Sequence, residues 1–220
     1  MKVHMAARIS PLDPPYDAKL QCRLDAVMHG APPLRLFTTL ARDSRLFDKF
    51  FSGSLLDRGH LTLRQREIVI DRTAALCGSE YEWGVHVALF APKARLDAAA
   101  IHSLAHGSAD DPCWSDEDRD LLRLCDALHR DCDVGDELWR ALQMRFSEGA
   151  LLELLMLAGF YRTVSYLTNV LRLPLEEGVA RFPGPGLPPA GAQRFGCAST
   201  RPSHGSGDEP GDDLPPGSSG

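Results

Sequence analysis

The stretch from Ala150 to Phe160 constrains the fold most, because it is apolar on nearly every side of a predicted helix. The helix itself is predicted to run from about Ser147 to Leu173, and Pro174 stops it there. A helix without a polar face lies at the centre of a core or against another subunit. We therefore expect a helical domain that surrounds this helix, uses it for assembly, or does both.

The other apolar residues between 31 and 182 also follow helical spacing, and no alternating run or hairpin signal predicts a strand. Capping residues precede several of the predicted helices: Thr62, Asp97, Ser115 and Ser147. Glycines or prolines follow several of them. The sequence therefore predicts an all-α fold, a single compact helical domain.

Composition divides the chain into three parts. Residues 183–220 contain eight of the sixteen prolines and nine of the nineteen glycines, so we expect a disordered tail. Residues 1–30 are interrupted by prolines near the start and are assigned as an N-terminal extension with a short helix over 17–29. The helical domain is then 31–182, and a chain of 220 residues with 44% hydrophobic residues can bury its core.

Charge and cysteine content limit the classes of function. A formal net charge of -6 argues against a nucleic-acid or anionic-membrane surface. No apolar run approaches the roughly 20 residues of a membrane span, and the N-terminus lacks a secretory signal. We therefore expect a cytoplasmic protein. Its six cysteines form no C-x-x-C pair, which favours inert thiols.

The segment Cys77–His86, C-G-S-E-Y-E-W-G-V-H, concentrates the chemically useful residues. Helical spacing places Ser79, Glu82 and His86 on one face, and a turn at Gly78 would bring Glu67 back from the preceding helix. A carboxylate beside the imidazole would raise its pKa and fix its tautomer. Each of these residues also has a purely structural interpretation. Ser79-x-x-Glu82 is a capping box, His86 could be a core imidazole, and Glu67 could form a surface ion pair.

This pattern resembles the carboxymuconolactone decarboxylase family, which includes the AhpD-like peroxidases. Their pattern is Glu, Cys twelve positions later, a second Cys three further on, and His four beyond that. Here the matching positions are Glu67, Ser79, Glu82 and His86, so the acid and the imidazole are present and both sulfurs are absent. The resemblance covers about 60–178 and implies an AhpD-like helical fold.

The resemblance also implies a site, a substrate class and an assembly. His86 would be the acid–base group, Glu67 its orienter, and Glu82 and Ser79 further catalytic candidates. Tyr81 and Trp83 are candidates for the substrate pocket, although such aromatic residues more often pack in the core. Apart from the resemblance, the charge of Arg162 in an apolar helix indicates either a contact with a substrate carboxylate or a surface ion pair. The partners are a small molecule and further copies in a trimer or hexamer. No cofactor and no metal are expected.

Three hypotheses about function remain open at this level. The first is a lyase, decarboxylase or isomerase that uses His and Glu for acid–base chemistry. The second is a peroxidase, which the replacement of both motif cysteines disfavours and which would have to act through Cys77 alone. The third is a helical oligomer without catalysis. An apolar cavity containing both His86 and Glu67 would favour an enzyme, and an inaccessible or filled pocket around His86 would favour the oligomer.

Overall fold

The computed structural model describes residues 6–55 and 57–184, and helices are the only regular elements within these ranges. The prediction of an all-α fold is confirmed. Residues 185–220, most of the predicted tail, lie outside the described part of the chain. In chain order the described helices are α1 (Ala18–Met28), α2 (Arg35–Leu40), α3 (Ser44–Ser52), α4 (Leu63–Leu76), α5 (Glu80–Phe90), α6 (Ala98–His106), α7 (Asp116–Asp131), α8 (Asp136–Arg145) and α9 (Glu148–Leu171).

Helix α4 lies at the centre of the domain and packs against α5, α6, α7 and α9. Every residue from Glu67 to Ala74 is buried, including two carboxylates and an arginine. A capping box begins this helix: the Thr62 hydroxyl accepts from the Gln65 amide, and the Gln65 side chain accepts from the Thr62 amide. A helix with buried charged residues thus lies at the centre of the domain, rather than the apolar α9.

Helix α9 packs one face against α4, α5 and α8 and leaves the other face open. Its exposed apolar side chains are Leu152, Met156, Tyr166 and Val170, each more than half accessible. They recur at helical spacing and form an apolar stripe on the single chain. By length and composition, α9 is also the one described helix that could cross a membrane, a property that it shares with core helices of soluble proteins.

The N-terminal segment packs on the helical domain, although the sequence assigned it as an extension. Helix α1 begins with Asp17 as its cap, and Leu24 within it is 1% exposed. The Arg8 amide donates to the Leu171 carbonyl at 2.9 Å, which ties the segment to the end of α9. Residues 6–30 therefore supply part of the walls described below.

After α9 the chain returns along α5. The Phe182 ring lies 5.0 Å from the Trp83 ring, and Arg181 pairs with Glu80 at 2.9 Å. One residue beyond the predicted boundary, the Pro183 carbonyl lies 2.6 Å from His106 Nε2. The described C-terminal residues are thus held against the domain by both apolar and polar contacts.

Candidate functional site

The turn between α4 and α5 brings the residues of the motif together. Gly78 has a φ of +64°, in the left-handed region that glycine adopts without a steric penalty. Ser79 then begins α5, and its Oγ accepts a hydrogen bond from the Glu82 amide at 3.4 Å. The two helices lie side by side, so that Glu67 in α4 meets His86 in α5, as the sequence predicts.

Glu67, His86 and Glu82 form a buried row. His86 Nδ1 lies 2.8 Å from Glu67 Oε2, and His86 Nε2 lies 3.3 Å from Glu82 Oε1. The three residues are 0%, 5% and 7% exposed, in the order Glu67, His86, Glu82. Because a carboxylate oxygen faces each ring nitrogen, the arrangement suits an imidazolium that donates from both nitrogens.

The surroundings of His86 favour its charged form. Burial acts to lower the pKa of the imidazole, but the hydrogen bonds and negative charges of Glu67 and Glu82 outweigh it and raise the pKa to about 10. His86 is therefore an imidazolium at neutral pH. Glu67 holds one side of the ring, and the other side is directed toward Glu82.

The direction of the Glu82 carboxylate separates a catalytic candidate from a helix cap. In a full capping box the carboxylate would accept from the Ser79 amide, but that amide donates to the Ala74 carbonyl at 2.8 Å. The Glu82 side chain lies beside His86 instead. Only the Ser79 half of the box is formed, so the Glu82 carboxylate is available for chemistry.

A fourth acidic residue, Asp71, lies one helical turn after Glu67 on α4 and is fully buried. Neither of its carboxylate oxygens has a hydrogen-bond partner within the described chain. Burial raises its pKa well above the usual value, the His86 charge opposes this, and Glu67 and Glu82 add to the increase. Burial therefore favours the protonated form of Asp71, which lies next to the row. The sequence analysis did not single it out, although an acid one turn from Glu67 was a usable signal.

His86 and Glu82 line a cavity of about 380 Å³. Its walls come from α5 and α9 and from the three N-terminal helices together with the residues that follow them, and most of the lining side chains are apolar. Glu67 does not reach the cavity and contacts it only through His86. The structure therefore gives an apolar cavity that contains His86, but Glu67 lies outside it, so the cavity expected from the sequence is formed only in part.

Two further lining residues carry polar groups that the sequence analysis missed. Lys93, just after α5, is exposed and places a cation at the cavity. Tyr161 of α9 is buried, and its ring is 5.1 Å from the His86 ring. Burial and the nearby carboxylates raise the pKa of this phenol well above its usual value, so it remains a neutral donor. Neither residue belongs to the motif, and only the tertiary fold places them at it.

Three other predicted site residues belong to the motif but do not line the cavity: Ser79, Tyr81 and Trp83. Ser79 is fully buried, and its Oγ lies 2.8 Å from Thr168 Oγ1. The Tyr81 hydroxyl accepts from the Leu36 amide at 3.2 Å and donates to the Glu176 carboxylate. Trp83 packs against the C-terminal segment. Their contacts hold α5 in place.

Arg162 does not lie with His86 either. It lines a separate depression of about 190 Å³ near the end of α7, where its Nε lies 2.9 Å from the Tyr166 hydroxyl and its Nη1 lies 3.3 Å from the His129 carbonyl. The expected role of holding a substrate carboxylate beside His86 does not fit this position. Of the described lysines and arginines, Lys93 is the one that lines the cavity.

No cysteine among the described residues lines the cavity. Burial raises the pKa of the Cys77 and Cys113 thiols, and it raises that of Cys125 to about 12, so these thiols are protonated at neutral pH. Cys22 and Cys132 are exposed, and Cys197 lies outside the described residues. Within the described ranges no three His, Cys, Asp or Glu side chains are grouped as a metal site would require.

Comparison with known families agrees with this arrangement. Residues 44–124, which include α4, α5 and the whole motif, match the model of the carboxymuconolactone decarboxylase family. Over these residues the chain is similar to this family. A search among curated proteins finds no significant match. The resemblance on which the site residues were predicted is thus confirmed at the level of the family.

Solved structures support the all-α fold of this chain. A peroxidase-related protein from Silicibacter sp. TM1040 aligns over 78% of this chain and 94% of its own, with 13% identity and a TM-score of 0.68. A peroxidase-related protein with an alkylhydroperoxidase AhpD core from Ralstonia eutropha JMP134 aligns over 78% and 95%, with 19% identity and a TM-score of 0.67.

A third structure is that of the debrominase Bmp8, as a variant in complex with 2,3,4-tribromopyrrole. It aligns over 79% of this chain and 94% of its own, with 12% identity and a TM-score of 0.64. At these identities the similarity establishes the AhpD-like helical fold and leaves the chemistry to be argued from the site.

Proposed function

We propose that this protein is an enzyme that transfers a proton to or from a carbon atom of a small organic substrate, as a decarboxylating lyase or an isomerase. The observation that carries the proposal is the buried Glu67–His86–Glu82 row, two members of which line an apolar cavity. A general acid–base pair in a water-poor cavity is what such reactions need. The substrate class nearest to the family name is a lactone carboxylic acid.

Each member of the row has a distinct task in this proposal. Glu67, fully buried, orients the imidazole and balances its charge. His86 supplies the proton, and Glu82 passes it to or receives it from the substrate carbon. The neutral phenol of Tyr161, on the same cavity wall, is the candidate donor for negative charge that develops on a substrate oxygen.

The same groups serve both reaction types. In a decarboxylation the carbon–carbon bond breaks, carbon dioxide leaves, and the electron pair of that bond moves into an enolate whose oxygen would accept from the Tyr161 phenol. A proton from the His86–Glu82 pair then adds to the carbon, and solvent returns a proton to the pair. In an isomerisation Glu82 removes a proton from one carbon and the pair returns it to another.

The cysteines argue against a thiol peroxidase. That reaction needs a thiolate at the site, and no described thiol reaches the cavity. Glu82 stands at the motif position where the related peroxidases carry their second cysteine, and it takes up the contact with His86. A carboxylate in this place can exchange a proton and has no electrons to give to a peroxide.

The proposal is tested with lactone carboxylic acids by measuring carbon dioxide release and, by NMR in deuterium oxide, incorporation of deuterium at carbon. Glu82→Gln and His86→Gln should each reduce turnover by about 10²- to 10⁴-fold, the usual contribution of a general acid–base group. Cys77→Ser is the matched control and should be nearly silent. If the row works as a unit, Glu67→Ala combined with His86→Ala should be little worse than either alone.

Two results would contradict the proposal. One is turnover that survives Glu82→Gln and His86→Gln at the level of the unchanged protein. The other is hydroperoxide reduction that persists in His86→Ala and disappears in Cys77→Ser, which would establish a one-cysteine peroxidase.

A further inference from the structure

The inner wall of the cavity is built from aromatic rings that contact one another in tilted and edge-to-face arrangements. The Phe37 ring lies 4.8 Å from Phe51 and 6.2 Å from Phe50, and Phe50 lies 5.1 Å from Phe160. From Phe160 the contacts continue to Tyr161 at 5.6 Å, and from there to His86. A planar, apolar molecule can therefore stack along the wall as far as the acid–base row.

Lys93 is the charged group that the mouth of the cavity offers to a ligand. It is exposed, and its Nζ lies 5.9 Å from the centre of the Phe90 ring, which in turn lies 5.3 Å from the His86 ring. Within the described chain no carboxylate lies at ion-pairing distance from Lys93. Its charge is thus not committed to a structural ion pair.

The other end of the cavity repels anions. Two carboxylates flank a single imidazolium there, and Glu82 is the carboxylate that faces the cavity. An anionic group placed beside Glu82 would be close to a like charge in a region of low dielectric constant, which is costly. The two ends of the cavity therefore favour opposite ends of a ligand, with its anionic group near Lys93.

We infer that the substrate is a planar, largely apolar monoanion that stacks on the phenylalanine wall, with its anionic group at Lys93 and its reacting carbon at Glu82. Lys93 is then the residue that selects for negative charge. This inference rests on the proposed function for the reacting end, while the selection of the anion stands on Lys93 and the wall alone.

The volume of the cavity sets an approximate size for this substrate. A cavity of about 150 Å³ is enough to hold benzene. The 380 Å³ of this cavity therefore accommodates a ring system of one or two fused rings with a short substituent. A small lactone that carries two carboxylates would leave much apolar wall uncovered and would place one of its charges near Glu82.

The orientation also bears on the type of reaction. A carboxylate held by Lys93 is stabilised as an anion, which opposes its loss as carbon dioxide. The carbon that reacts lies at the other end of the molecule, beside Glu82. Of the two reaction types proposed, a monoanion bound in this way favours isomerisation.

Binding measurements with three probes test the inference: 2-naphthoate, its neutral analogue 2-naphthamide, and the cationic 2-naphthylmethylamine. Isothermal titration calorimetry at low salt should show 2-naphthoate binding at least about fivefold more tightly than the amide, and the amine more weakly. Lys93→Met keeps the aliphatic stem and should abolish the preference for the acid while leaving amide binding unchanged. Lys49→Met, an exposed lysine on α3 that does not line the cavity, is the matched control and should keep the preference.

A second variant confirms where the probes bind. Leu89 lines the cavity and is 51% exposed, so Leu89→Trp can obstruct the mouth with little cost to folding. It should weaken binding of the acid and of the amide alike. Equal affinities of the unchanged protein for acid and amide, an acid preference that survives Lys93→Met, or no binding of any probe would each overturn the inference.

The same titrations separate this inference from the proposed function. Glu82→Gln should remove turnover under the proposed function, yet it should retain or strengthen binding of 2-naphthoate because one repelling charge is gone. If Glu82→Gln keeps full turnover while Lys93→Met loses the acid preference, the acid–base assignment fails and the anion selection stands. If instead Glu82→Gln loses turnover while Lys93→Met keeps the acid preference, the role of Lys93 in anion selection fails and the acid–base assignment stands.

Discussion

The most informative single perturbation of this site is Glu67→Gln. The carboxylate of Glu67 lies 2.8 Å from His86 Nδ1 and is fully buried, so solvent does not screen its charge. Glutamine keeps the size and an acceptor oxygen but removes the negative charge. The variant therefore isolates the electrostatic contribution of Glu67 from its packing.

The expected result is a lower pKa of His86. Burial already opposes the charged imidazole, and the hydrogen bonds and charges of Glu67 and Glu82 hold its pKa at about 10. Loss of one adjacent opposite charge should lower this pKa by about 1–3 units. Were His86 to stay charged, the unbalanced pair would destabilise the fold by about 3–5 kcal/mol. Because it can release its proton instead, we expect a loss of about 1–3 kcal/mol, or roughly 2–12 °C in Tm.

The pH dependence of stability should change with it. The folded-state pKa of His86 lies above its ordinary value of 6.5, so its contribution to stability is complete below pH 6.5 and is lost as the pH rises through about 10. In Glu67→Gln this loss should begin at the same pH, because the pKa in the unfolded state is unchanged, and should end at lower pH. The difference in Tm between the variant and the unchanged protein should therefore be largest near neutral pH and shrink toward pH 10.

Side-chain NMR of the histidines measures the pKa directly, with His86→Gln identifying the resonance among the eight histidines. Glu137→Gln, an exposed glutamate on α8, is the matched control and should leave both the titration and Tm unchanged. An unaltered His86 pKa in Glu67→Gln would refute the reasoning, because it would mean that the buried carboxylate does not hold the proton on the imidazole.

Three further predictions concern stability and assembly. Asp71→Leu should raise Tm, because it removes a buried carboxyl that has no hydrogen-bond partner in the described chain. The increase should be larger at pH 8 than at pH 4, because the raised pKa of Asp71 makes folding less favourable as the pH rises above 3.8. Thermal melts at both pH values test this, and a lower Tm at both would contradict it. Gly84→Ala should displace the C-terminal segment, because its Cβ would meet the Ala180 carbonyl oxygen, and limited proteolysis should then cleave that segment faster than in the unchanged protein. Light scattering should show an oligomer, and Met156→Lys in the α9 stripe should dissociate it. Met144 is an exposed methionine outside this stripe, so Met144→Lys should leave the oligomer intact. A stable monomer of the unchanged protein at low micromolar concentration would contradict the assembly.

The helices were predictable because their signals are local. Thr62, Asp97, Ser115 and Ser147 each cap the helix that the sequence assigned to them. Each cap is a contact between residues no more than three apart, which a sequence pattern contains in full. Helix α9 shows the limit of such patterns. Its composition indicates that it must be covered, but only the tertiary structure shows which face the single chain covers and which face it leaves open.

The cavity wall could not be predicted for the opposite reason. The pattern of apolar residues placed Phe37 and Phe50 on helix faces, but nothing in their spacing indicates that they meet Phe160, more than a hundred positions away. Lys93 and Tyr161 join the site through similar long-range packing. Arg162 follows Tyr161 but lies about 200° around the helix from Phe160, so it lines another depression.

The two interpretations of Glu82, cap or catalytic group, could be separated only by the partner of one backbone amide. The tight turn at Gly78 gives the Ser79 amide a carbonyl acceptor at Ala74, so the Glu82 carboxylate is not needed there. The Glu82 carboxylate contacts the His86 imidazole instead, and it stands at the motif position where related peroxidases carry a thiol. With Glu67 and His86 in contact, a carboxylate at this position supports the proposal that the row transfers protons. The local geometry of one turn thus leaves the Glu82 carboxylate free to contact His86.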